Sequence, residues 1–217
     1  MSEMATWKDD ASRTYYFLKG YASCAQLPNT QKALVLAKQF HEGQYRKGGA
    51  EYLVHPLRVC NYLVALKFKD DVLLSAALLH DAIEDVEYIR NAPEKLVSEY
   101  GLSQEVVDLV LKLTKLKTTP IEVYYNGIQK DWRALMIKLS DRCNNVSTMD
   151  CFTLPKMKSY IEETKNYVIP LCGYAKLHYP EHNDEVTIMK YQITALCSVV
   201  EGLIPSMEEQ CKPDGKT

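Results

Sequence analysis

The chain has 217 residues, 47 % of them hydrophobic and 25 % charged, with a formal net charge of −2. That length accommodates one domain with a full hydrophobic core, and the composition is ordinary for a globular protein. A near-neutral charge gives no overall pull toward nucleic acid or an anionic membrane, so neither partner is expected. An anionic substrate has to be met by local basic residues. The most apolar stretch, Val72 to Leu79, is too short to span a bilayer, and the polar residues Met1 to Asp10 show no signal peptide. Seven cysteines, none in a Cys-x-x-Cys pair, point to free thiols and a cytoplasmic protein.

Apolar periodicity predicts an all-α protein with helices near 5–20, 30–43, 56–68, 71–86, 93–100, 103–116, 120–129, 131–149, 155–171 and 184–203. Pro56, Pro93, Pro120 and Pro155 each stand where a first helical turn tolerates proline. Asp70 and Asp71 are candidate caps for the helix beginning at Val72. Gly101 suits a C-terminal cap and Ser103 the N-cap that follows. No period-two run bounded by hairpin turns supports a sheet. The expected organisation is one compact helical bundle over 29–204, a helical extension over 1–28 packed on it, and a flexible tail over 205–217.

The chemically informative segment is His80-Asp81 followed by Glu84-Asp85, at the end of the apolar run Val72–Leu79. A helix buried nearly all round does not end in four ionisable groups without partners, because unpaired buried charge is costly. On a continuous helix His80 lies under Glu84 and Asp81 under Asp85. That arrangement suits a divalent cation, although a surface helix end with two acidic residues gives the same pattern. His55, just before a helix start, and Asp141, after an apolar helical stretch, are ordinary structural residues when taken singly. With His80 and Asp81 they make two nitrogen and two oxygen donors from three helices, a set suited to manganese, iron or zinc.

These segments resemble the HD superfamily of metal-dependent phosphohydrolases, and within it the hydrolase domain of the RelA/SpoT homologue family. His41-Glu42-Gly43-Gln44-Tyr45-Arg46-Lys47 and Tyr52 through Pro56 are similar to that family's first motif. Ala76 through Asp85 resembles its HD-x-x-ED motif, and Leu113-Thr114-Lys115-Leu116 a following helix motif. Ile137 to Thr148 resembles the segment around its last metal ligand, and Lys158 to Thr164 with Tyr167 and Pro170-Leu171 its closing helix. The resemblance covers roughly residues 30 to 172 and is closest to the small, hydrolase-only branch that includes the metazoan SpoT-homologue type. Glu51, Lys112 and Asn144 depart from residues common in the family, and none is a proposed ligand.

The resemblance implies an HD-domain helical bundle and hydrolysis of the guanine alarmones ppGpp and pppGpp at the 3′-pyrophosphate. It implies a divalent metal, manganese above others, on His55, His80, Asp81 and Asp141. Glu84 and Asp85 would orient the attacking water and take its proton. Arg46 is expected against the purine, with Lys47 beside it as a counter-charge. Lys115, Lys138 and Arg142 are candidates to face phosphates. Asn145 and Thr148 share a helical face with Asp141 and would contact the sugar or the 5′ phosphates. Tyr124, Tyr125 and Tyr160 are weaker candidates. Two alternatives stay open. The same centre could act on an adenine alarmone or the 2′-phosphate of NADPH, or the chain could be a catalytically silent nucleotide-binding module.

Overall fold

In the computed structural model the run Val72–Leu79 forms helix α4 (Asp71–Leu79), and every residue from Leu73 to Leu79 is buried. The structure describes residues 11–210. The expected helical residues 5–10 and the tail beyond 210 lie outside the described residues. The all-α expectation is met: regular structure among the described residues is helical, apart from an isolated bridge between Tyr45 and Glu51. None of these helices is long and apolar enough to cross a membrane.

The chain falls into two compact units, divided between Pro120 and Ile121. In the first unit α4 packs against α2 (Pro28–Phe40), α3 (Val54–Ala65) and α8 (Gln104–Leu113), and α1 (Ala11–Cys24) packs on α2 and α3. Three one-turn helices, α5 (Ala82–Asp85), α6 (Glu87–Arg90) and α7 (Lys95–Ser98), connect α4 to α8. In the second unit α10 (Trp132–Val146) packs against α9 (Ile121–Ile128) and α13 (Asn183–Gln210), and α11 (Leu154–Glu163) and α12 (Ile169–His178) also pack on α13. A π-helical turn, Thr164–Val168, joins α11 to α12. The last helix includes Pro205 and runs beyond its expected end at 203.

The cap assignments resolve differently from one another. Asp70 caps α4 as expected, its carboxylate accepting from Leu73 N at 2.7 Å. Asp71 instead caps a different helix. Its carboxylate accepts from Asn29 N, Asn29 Nδ2, Thr30 N and Thr30 Oγ1 at 2.7–3.0 Å, which satisfies the exposed amides at the start of α2. Asn29 Oδ1 accepts in turn from Ser103 N at 3.0 Å. Ser103 stands at the N-cap of α8 but its hydroxyl makes no cap bond. Gly101, at φ +65, ends α7 as expected, with Leu102 N donating to Leu96 O at 3.0 Å.

Because Asp71 carries four bonds between α2 and α4, Asp71→Ala is expected to destabilise the protein by about 1–3 kcal/mol. Asp70→Ala, which loses one local bond, should cost about 1 kcal/mol or less. Urea unfolding of the two variants checks the order. A larger loss for Asp70→Ala contradicts the assignment.

Candidate metal centre

His55 lies in the first turn of α3, and His80 and Asp81 follow α4 directly. The fold brings the three together. His55 Nε2 and His80 Nε2 are 3.1 Å apart, and both rings are buried. Asp81 sets Oδ2 at 3.4 Å from His55 Nε2 and Oδ1 at 3.3 Å from His80 Nε2. His80 Nδ1 lies 2.8 Å from the carbonyl of Ala77. A carbonyl can only accept, so Nδ1 carries the proton and Nε2 presents its lone pair. A nitrogen lone pair aimed at a second imidazole nitrogen, with a carboxylate oxygen beside each, is donor chemistry that fits a divalent cation.

One expectation is corrected here. Residues 71–86 do not form one helix: α4 stops at Leu79 and α5 restarts at Ala82, with the His80 imidazole against the Ala77 carbonyl at the break. His80 and Asp81 therefore do not stack beneath Glu84 and Asp85 on one helical face. The two acids also separate. Glu84 Oε1 accepts from Lys115 N, and its carbonyl from Arg90 Nη2. Asp85 instead lies close enough to the Tyr52 hydroxyl for its charge to act on that phenol.

In the second unit Asp141 is buried on α10. Asn145 Nδ2 donates to its Oδ1 at 2.6 Å, and Lys138 Nζ to its Oδ2 at 3.1 Å. The shared helical face expected for Asp141 and Asn145 is present. Thr148 is not on it, because α10 ends at Val146 and the Thr148 hydroxyl donates back to the carbonyls of Asn144 and Asn145.

Residues 33–123 match the family model described as the HD domain. That segment of the chain is similar to HD domains. The chain is 36% identical over 146 residues to guanosine-3′,5′-bis(diphosphate) 3′-pyrophosphohydrolase of Haemophilus influenzae, a match that takes in 63% of this chain and 21% of that protein. It is 36% identical over 152 residues to GTP pyrophosphokinase of Streptomyces coelicolor, covering 67% and 18%. It is 33% identical over 163 residues to the bifunctional (p)ppGpp synthase/hydrolase SpoT of Escherichia coli, covering 71% and 23%. The chain thus spans about a fifth of the length of these relatives.

Two residues of the matched segment, quoted in the sequence only as parts of a motif, also adjoin the two histidines. The Tyr52 hydroxyl donates to Asp81 Oδ2 at 2.7 Å, and its ring stacks on that of His41, with centroids 4.7 Å apart. Burial pushes the Tyr52 phenol far above its ordinary value, reinforced by the charges of Asp81 and Asp85. Burial also holds the His41 imidazole below the usual histidine value, against the opposing pull of Gln44, Asp81 and Asp85. The legible signal was a tyrosine three residues before a candidate ligand, and a histidine with glutamine three residues on.

The basic residues divide. Arg46 and Lys47 stand in the loop between α2 and α3, where Arg46 N donates to Ala50 O at 2.8 Å and Gly49, at φ +81, closes the turn. Lys47 is exposed and Arg46 half-buried. Lys115 lies just past α8, which ends at Leu113 instead of the expected 116. Lys138 is turned to Asp141 and stands over the Tyr124 ring.

Arg142 is the clearest correction: at 1 % exposure it cannot face a phosphate. Its guanidinium donates to Glu163 Oε1 at 2.6 Å, Thr164 Oγ1 at 2.9 Å, Tyr125 OH at 3.1 Å and Tyr160 O at 3.3 Å. It also lies over the Tyr160 ring, 3.8 Å from its centroid. A planar fork suits this set of acceptors, so the residue is a tie between α10, α11 and the π turn. Arg142→Met leaves Glu163 without its cation and is expected to destabilise the protein by about 3–5 kcal/mol. Thermal unfolding checks this; an unchanged midpoint with weakened nucleotide binding would restore Arg142 as a ligand contact.

Proposed function

We propose that this chain is a metal-dependent hydrolase that removes pyrophosphate from the 3′ position of ppGpp and pppGpp, giving GDP or GTP. The observation that carries the reading is the pair of buried imidazoles, His55 and His80, with the half-buried carboxylate of Asp81 beside both. It is supported by likeness to a protein named for this reaction. The proposed donor set is His55, His80, Asp81 and Asp141, with manganese as the cation. When bound, that cation supplies an activated water and a counter-charge for phosphate.

The chain's own residues do the rest. Asp141 is held by Lys138 and Asn145, and Asp81 by Tyr52, so neither carboxylate swings freely. Glu84 and Asp85 are the groups proposed to orient the attacking water and take its proton. The water oxygen bonds to the phosphorus attached to the ribose 3′ oxygen. The bond between that phosphorus and the 3′ oxygen breaks, and the 3′ oxygen is protonated as pyrophosphate leaves. Arg46 is proposed to lie against the purine, and Lys47, Lys115, Lys138, Asn145 and Thr148 are proposed to contact the phosphates and sugar.

Incubating the purified chain with ppGpp and manganese, then separating the products by chromatography, tests the reading directly. GDP and pyrophosphate are the expected products, lost on chelation and regained with manganese. His80→Ala should lose bound metal together with activity. Full turnover in excess chelator by protein of negligible metal content rules out the metal mechanism. Glu84→Gln should keep its metal yet lose on the order of 10²–10⁴ in kcat. If it loses metal while Asp141→Asn keeps it, the two roles are exchanged.

Substrate reading is tested at Arg46. Arg46→Lys keeps the charge and loses the flat guanidinium. A raised KM for ppGpp, with a changed preference between ppGpp and its adenine counterpart, is the expected result. An unchanged preference with weaker, more salt-sensitive binding makes Arg46 a general anion contact.

A further inference from the structure

We propose that Tyr52 is a positioning residue of the metal centre: its hydroxyl fixes the carboxylate of Asp81, and a brace formed by His41 and Gln44 fixes its ring. This rests on the reading of His55, His80 and Asp81 as metal donors.

The phenol is held at three places. Its hydroxyl donates to Asp81 Oδ2 at 2.7 Å, leaving Oδ1 as the oxygen nearest His80 Nε2, at 3.3 Å. Its main chain joins the neighbouring donor, because His55 N donates to Tyr52 O at 2.9 Å. Its ring lies flat on the His41 ring, 25° from parallel, and edge-on to the His55 ring at 6.1 Å.

Gln44 closes the brace from both ends. Its carbonyl accepts from Tyr52 N at 2.8 Å, and its Oε1 lies 2.8 Å from His41 Nδ1. His41 is itself buried, at 3 % exposure. The ring of Tyr52 therefore has little freedom to rotate, and its one O–H is aimed at Asp81. An aspartate at a helix break, without this bond, would lose rotamer freedom on binding a cation. The bond removes that freedom in advance.

Tyr52→Phe isolates the hydroxyl, since it keeps the ring and the stack on His41. The full chain, stripped with chelator and shown by circular dichroism to be folded, is titrated with Mn²⁺ by calorimetry. The expected result is a loss of roughly 10–100-fold in Mn²⁺ affinity, the usual effect of removing a group that orients a ligand. Activity should recover in part at saturating Mn²⁺. His41→Leu removes the stacking surface but leaves the hydroxyl, and should weaken Mn²⁺ in the same direction by less. It serves as the test if Tyr52→Phe does not fold. Unchanged Mn²⁺ affinity in the folded variants overturns the role of Tyr52 while the metal reading stands. Absence of Mn²⁺ uptake by the wild-type chain overturns the metal reading, and this inference with it.

Discussion

The hydrogen bond from the His80 imidazole to the Ala77 carbonyl anchors the first unit's chemistry. It is made at 2.8 Å, where the helix ends at Leu79. One bond thereby fixes the tautomer of His80 and aims its Nε2 lone pair at His55, while Asp81 faces both histidines and Tyr52. The surrounding burial makes this arrangement durable. With Leu73 to Leu79 all buried, water has poor access to the end of α4, so polar groups there must satisfy one another or a bound cation.

Each unit solves the cost of buried polarity in its own way. In the first, uncharged donors and a few carboxylates are closely matched: Asp71 serves four donors at the start of α2, and Asp81 is met by the Tyr52 hydroxyl. In the second, full charges are buried in pairs. Lys138 neutralises Asp141, and Arg142 is tied to Glu163 with two tyrosines and a threonine completing its partners. The Tyr160 ring over Arg142 and the Tyr124 ring beside Lys138 shield these cations from water. Such pairs contribute little net stability compared with apolar packing, yet removing one partner is costly, so they hold the geometry of α10 more than they strengthen the fold.

Several features were legible in the residues because they depend on local chemistry. An apolar run of eight residues could only be an inner helix. Asp70 before it could cap it, and Gly101 could adopt the positive φ that ends α7. His55, His80, Asp81 and Asp141 stood out as candidate donors only when taken together, because a lone histidine or aspartate of this kind is ordinarily structural. The spacing of Asn145 from Asp141 was likewise enough to foretell their contact on one turn of helix.

Other features depended on bonds between segments distant in sequence. Asp71 reads as a local cap, and only the approach of α2 makes its carboxylate serve Asn29 and Thr30. Arg142 reads as a surface cation, and only the packing of α10 against the turn at Thr164 puts it inside. Glu84 reads as one of a pair of free acids, and only the end of α8 brings Lys115 N to its carboxylate. The sequence by itself determined the helical class, the buried character of α4 and the kinds of polar side chain on offer, which follow from periodicity and side-chain chemistry. Tertiary structure decided which donor each polar group meets, because a hydrogen bond is made by whichever partner the packing brings within about 3 Å, not by the nearest in sequence.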